Sequence, residues 1–162
     1  FSVVAVSTMM LMNRGVSVAQ QSLETTLVRQ QIDAQADMLR FMHDRARSDE
    51  QKYVEAWNDT PISDGIDENL AVDNCKDQFS PDGFVLYTSG SGIKVNKSNY
   101  APAEVYAKVD EDGKAQGIDV QIIRTANGRA YDAYIQACWD TPASDKPMTI
   151  GTIVRLYDPS VN

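Results

Sequence analysis

The chain opens on an apolar run, Phe1-Ser-Val-Val-Ala-Val-Ser-Thr-Met-Met-Leu-Met12, and passes directly into a long stretch of polar, helix-favouring residues. No proline occurs before Pro61, and from Phe1 to Trp57 the strong helix-weakening residue is Gly15. A single helix over residues 1–57 would be roughly 80 Å long at 1.5 Å per residue, against an ordinary globular helix of about 10–14 residues. Such a helix, apolar at one end and amphipathic afterwards, cannot satisfy itself inside one small domain. A membrane, or further copies of the chain, must bury its tip.

The apolar run would make roughly 18 Å of helix, short of the ~30 Å hydrocarbon core of a bilayer, and Asn13-Arg14-Gly15 ends it. The expectation is therefore that further apolar residues precede Phe1 or that neighbouring copies complete the burial. Beyond Gly15 a stripe is expected to continue along the helix. Val16, Ala19, Leu23 and Leu27 lie at steps of three and four, and Val28, Ile32, Ala36, Leu39, Met42, Ala46, Tyr53 and Trp57 follow with some drift. Arg29–Asp33 and Arg40–Asp44 stand at i,i+4 and would each add a few tenths of a kcal/mol. The second half of the helix is expected to pack on a head, and the first half has no such partner in the chain.

Charge divides the chain in the same place. Of the net −8, residues 1–57 carry −1 (6 basic, 7 acidic) and residues 58–162 carry −7 (9 basic, 16 acidic). An acidic head without a basic stripe argues against a nucleic-acid partner.

After Trp57 the texture changes. Residues 58–83 read as a polar connecting loop, with Asn58-Asp-Thr-Pro-Ile-Ser-Asp-Gly65 at its start and Ser80-Pro-Asp-Gly83 as a turn. Strand signals follow over Phe84–Thr88, Glu104–Val109, Ile118–Thr125, Arg129–Trp139 and Thr149–Tyr157, while Ser89-Gly-Ser-Gly92 reads as a flexible loop. Asn127-Gly128 is the strongest hairpin signal. Alternation places Ile118, Val120 and Ile122, then Tyr131, Ala133, Ile135, Ala137 and Trp139, then Ile150, Val154 and Leu156 toward the helix. The predicted fold is α+β. It has a helix over 1–57 (apolar tip 1–12), a head over 58–162, and an antiparallel sheet of four or five strands within 84–157.

Cys75 and Cys138 are the two cysteines, 63 positions apart, without the spacing or histidine partners of a zinc site. They read as a disulfide made in an oxidising compartment, with two free buried thiols as the alternative. Cys138 has the parity opposite to the core-facing residues, so a bridge would clip the connecting loop over the sheet's outer face or end. Signals for catalysis are weak. His43, the single histidine, sits on the helix and reads as solvated. Asp110-Glu-Asp-Gly113 starts like a calcium loop without its later ligands, and reads as a turn. Asn58-Asp-Thr60 and Asn96-Lys-Ser98 match glycosylation acceptors by pattern alone.

This order of parts resembles a type IV pilin or pseudopilin. The likeness rests on Phe1 as first residue, the apolar start, the unbroken helix through Trp57, the polar loop, the hairpin-built sheet and the lone cysteine pair. The segments Val28–Asp37 and Tyr134–Asp140 look like pilins of Saccharibacteria-type candidate-phyla bacteria. The resemblance implies a structural subunit, not an enzyme, that needs no cofactor. Such a subunit is held in the cytoplasmic membrane before membrane-bound machinery assembles it into an extracellular helical homopolymer for adhesion or twitching motility. It implies Phe1 as an N-methylated terminus. Phe1, Val3, Val4, Val6, Met9, Met10, Leu11, Met12 and Val16 would form the filament core, with Gly15 either a point where the helix loosens on packing or a glycine the helix merely tolerates. One departure stands out: the family places a glutamate at the fifth position, and here Ala5 occupies it, with Glu24 the first acid. Two alternatives share these features: a pseudopilin or minor pilin of a secretion system, and a membrane-tethered extracellular sensor or binding domain.

Overall fold

The structure, a computed structural model, describes residues 2–65, 74–90, 92–125, 128–142 and 144–158, and leaves aside the side chains of residues 2–9 and 11. Its first element, α1 (Ser2–Arg47), has 46 residues and runs through Gly15 without interruption. At 1.5 Å per residue that is about 69 Å.

The helix does not continue to Trp57. It stops in a left-handed cap: Asp49 takes φ 57°, Glu50 N–H donates to Arg45 C=O at 3.3 Å, and Asp49 N–H donates to Ala46 C=O at 3.2 Å. These two bonds satisfy carbonyls that a helix end leaves open, and Asp is among the few side chains that tolerate the left-handed region. A second helix, α2 (Gln51–Asn58), follows and packs back on the end of α1, with the Phe41 and Tyr53 rings meeting edge-on at 5.4 Å. A run without glycine or proline hid the break.

The sheet has six strands rather than four or five. Its path is β3 (Gly92–Lys97), β2 (Phe84–Ser89), β6 (Ile118–Arg124), β7 (Ala130–Trp139) and β8 (Met148–Tyr157), while β1 (Ile62–Ser63) adds a short parallel pairing at Ile62↔Ile122. The other pairings are antiparallel. Ser89 pairs with Gly92, so the expected flexible loop is the reversal of a hairpin. The strand expected over 104–109 shrinks to β4 (Lys108–Val109), paired with β5 (Ala115–Gln116) across the Asp110–Gly113 turn. Gly113, at φ 77°, is required there, because a Cβ would fall 2.4 Å from the Tyr87 ring. Asn127 lies outside the described residues; Gly128, at φ 68°, donates its N–H to Thr125 C=O at 2.8 Å.

α1 covers one face of the sheet and runs antiparallel to β7, with His43 beside Tyr131 and Glu24 beside Trp139. The two lengths agree: Glu24 to His43 is about 28 Å of helix and Tyr131 to Trp139 about 27 Å of strand. Between them lie Val28, Ile32, Ala36, Leu39 and Met42, packed on Val120, Ile122, Ala133, Ile135, Val154 and Leu156. The expected faces are the observed ones, with Ile150 half-buried at the margin.

The outer face is clipped as expected. Cys75, in a short 3-10 turn (Cys75–Gln78), is bonded to Cys138, and Gln136 Nε2 donates to Gln78 C=O at 2.9 Å. Beneath this strap Asp119 is fully buried and accepts the Ser80 N–H at 3.4 Å. Gly83 is needed to make room, since a Cβ there would sit 1.9 Å from the Asp119 carboxylate. Burial pushes the Asp119 carboxyl up to about 7, against the lowering effect of its hydrogen bonds to Ser80, Val120 and Ser98.

Candidate assembly surface

The head grips α1 from Gln21 onward. Gln21 Nε2 donates to Met148 Sδ at 3.1 Å, and Glu24 accepts from Trp139 Nε1 at 3.1 Å and from Gln20 Nε2 at 2.9 Å. These polar residues occupy core-facing helix positions because the sheet supplies partners there. Gln31 Oε1 accepts the Val109 N–H, and Gln35 accepts from Leu86 N–H and donates to Leu86 C=O, both at 2.8 Å. Unlike an apolar side chain, Gln35 closes an open backbone donor and acceptor of β2 at once.

N-terminal to this junction α1 overhangs the sheet. Residues 12–20 are all exposed, Met10, Met12 and Val16 at 64%, 68% and 67%. Leu23, level with the junction, is also 60% exposed. No helix among the described residues is long and apolar enough to cross a membrane.

The expected stripe does not run along one side of the helix. At about 100° per residue, Leu23 lies about 140° around the axis from Val28, and Val16 about 160° from Ile32. Met12, Val16, Ala19 and Leu23, at steps of four, three and four, form one seam on the side away from the sheet. Val28, Ile32, Gln35, Leu39 and Met42 form another that meets it. What reads as drift in the sequence is a change of face at the point where the head begins.

The other anticipated residues fall as follows. The side chains of Phe1, Val3, Val4, Val6, Met9 and Leu11 lie outside the described residues. Met10, Met12 and Val16 stand on the overhang. Gly15 is ordinary α-helix, and a Cβ there would meet nothing within 4 Å. His43 is not solvated: it is 4% exposed and lies between the Trp57 ring at 4.9 Å and the Tyr131 ring at 6.3 Å. Burial, and then the charge of Arg47, holds its imidazole below the usual value. Arg40 pairs with Asp37 at 3.2 Å, not with Asp44. Asn96 is occupied, donating its side-chain amide to Gly113 C=O at 2.7 Å.

Among the described residues no three His, Cys, Asp or Glu side chains converge in a way that could hold a metal ion. No protein family, no characterised protein and no solved structure is found to match this chain. Sequence reasoning missed the polar side of the junction, although Glu24, Gln31 and Gln35, at steps of seven and four within the core-facing stripe, were its visible signal.

Proposed function

We propose that this chain is a structural subunit that polymerises through its N-terminal helix into an extracellular filament of the type IV pilus kind, serving adhesion or twitching motility. The observation that carries the reading is the overhang: a helical segment with an exposed apolar seam turned away from the head. Its flanks are near neutral, with Arg14 the single charge before Glu24, so copies can approach there without repulsion. A head-to-tail contact of this type builds an open helical polymer. The disulfide strap fits an oxidising compartment outside the cytoplasm. The subunit would reside in the membrane before assembly, and membrane-bound machinery would move it into the filament.

Electron microscopy of the sheared cell-surface fraction, labelled with an antibody against residues 58–162, tests this. Continuous label along thin filaments is the expected result. Label at filament tips alone would indicate a minor subunit. Label confined to the cell envelope, with no filaments, would overturn the proposal.

A further inference from the structure

The two long edges of the sheet are finished differently. At one edge β3 is six residues long, exposes Lys94 and Lys97, and is flanked by α2, with Lys52, Tyr53 and Ala56 facing Ile93 and Val95 across a groove of about 420 Å³. Short length, lysines and a covering helix are the devices by which proteins keep sheet edges from pairing.

At the other edge β8 has none of these. It is ten residues long, pairs with β7 at every position from Met148↔Trp139 to Tyr157↔Ala130 without a bulge, and contains no Lys, Pro, Asp or Glu. Its one charge, Arg155, is occupied by Asp132 in a two-pronged pair at 2.6 and 2.7 Å. Its outer face shows Ile153 at 60% and Tyr157 at 66% exposure. No other described strand pairs with its far side.

We propose that this edge joins the same edge of a second copy, antiparallel across a two-fold axis at Ile153, so that two sheets become one. In that register Ile153 faces the partner's Ile153, and Thr149 faces the partner's Tyr157 on the outer face. Ile150 faces the partner's Leu156 on the helix side. Each Arg155 stands opposite Gly151, so no like charges meet. Of the two neighbouring in-phase registers, the one centred on Val154 sets Ile153 opposite Arg155, and the one centred on Thr152 also fits worse. It sets Tyr157 opposite Pro147, which has no N–H to donate, and leaves Ile153 against Gly151. The strand is thus complementary to itself, which marks a second copy as the occupant. Because α1 runs parallel to β8, the two-fold reverses it, so the paired copies are not neighbours within one head-to-tail filament. The inference rests on the sheet edge alone and goes beyond filament formation through α1.

Cysteine cross-linking of the full chain decides it. Directly opposed residues of an antiparallel pair have Cα atoms about 4.5–5.5 Å apart, inside the span a disulfide accepts. Ile153→Cys should therefore oxidise to a covalent dimer as the main species on a non-reducing gel. Thr149→Cys alone and Tyr157→Cys alone should give none, since each would lie about 27 Å from its own copy across the dyad. An equimolar mixture of those two variants should cross-link. Adding Ile153→Lys, at an exposed position, to both members of the mixture should abolish that product. Equal cross-linking at all three single sites, as loose association through α1 would give, overturns the proposal. So does no cross-link at Ile153→Cys, or a mixed product that survives Ile153→Lys.

Discussion

One helix serves two solvents. From Gln21 to Arg47, α1 is a component of the head: Val28, Ile32, Ala36, Leu39 and Met42 are buried, and Glu24 and Gln35 beside them are hydrogen-bonded to the sheet. From Met12 to Gln20 the same helix is exposed throughout, with the seam of Met12, Val16 and Ala19 on the opposite side, Val18 about 120° from it and Met10 in line with Val28. Helix geometry continues unchanged across the junction, so the backbone does not distinguish the halves. The difference lies in what the faces meet: the docked half turns one apolar face to the sheet, while the exposed half carries its seam on the far side, with Met10 and Val18 off that seam. An amphipathic helix declares where its partner is, and here it declares two partners in two directions. The head can satisfy only one.

The largest expected effect tests how self-sufficient the docked half is. Removing the strap by Cys75→Ser with Cys138→Ser opens a loop with a sequence separation of 63 and should destabilise the head by about 4 kcal/mol in the chain-entropy model, read as a lowered urea midpoint. Far-ultraviolet circular dichroism should still report the overhang as helix if the two halves are as independent as their contacts indicate. Loss of helix signal well beyond the docked residues would break the comparison.

A comparable effect is expected from Asp119, whose carboxyl is held protonated to about 7 by burial under Ser80–Gly83, against an ordinary 3.8. The folded state therefore binds the proton more tightly than the unfolded state. Its stabilising contribution is full below about pH 4 and is lost as the pH rises through about 7, by about 4 kcal/mol at most. Since the lowered His43 adds a slope of opposite sign, the reading is the difference between proteins: urea titrations across that range should show wild type losing stability relative to Asp119→Asn as the pH rises toward 7. A difference that stays constant from pH 4 to 7 would remove the carboxyl from the account.

Much of the docked half was legible beforehand, for a physical reason. The face pattern of β7 and β8 has a period of two, so alternation alone assigned Ala133, Ile135 and Val154 to the core; in β6, buried on both faces from Ile118 to Ile123, it assigned Ile122 to the helix side. The cysteine parity likewise anticipated the strap on the outer face. Three features resisted. The end of α1 at Asp49 depends on a left-handed residue that is not glycine. The β2–β3 hairpin was hidden because β3 is an edge strand whose Gly92, Lys94, Asn96 and Lys97 carry little β signal. His43 looked solvated because Asp44, Arg45 and Arg47 surround it in sequence, whereas α2 and β7 surround it in space. In each case the deciding contact is tertiary. The overhang itself was visible from the first line of the sequence, but its seam was misassigned, since spacing by threes and fours reveals a stripe and not a change of side.

Gln35 tests the docked half at its most polar point. Gln35→Leu would leave the Leu86 N–H and C=O without their side-chain partner in a buried site, costing about 2–3 kcal/mol. The measurement is the denaturation midpoint. Full stability in this variant would mean that the apolar core alone holds α1 to β2.

The smallest effect on the isolated subunit is the sharpest test of the free half. Leu23→Ala and Leu39→Ala delete the same atoms from the same helix sixteen residues apart. Leu39 is fully buried between α1 and the sheet, and its truncation should cost about 2–5 kcal/mol. Leu23 is 60% exposed on the far side, and its truncation should change subunit stability by less than about 0.5 kcal/mol. Assembly should reverse the ranking. A sedimentable polymer should weaken with Leu23→Ala, while Leu39→Ala should polymerise normally at temperatures where it remains folded. If both variants lose stability together, the seam belongs to the head after all. If Leu23→Ala affects neither stability nor sedimentation, the seam is idle and copies meet through some other surface.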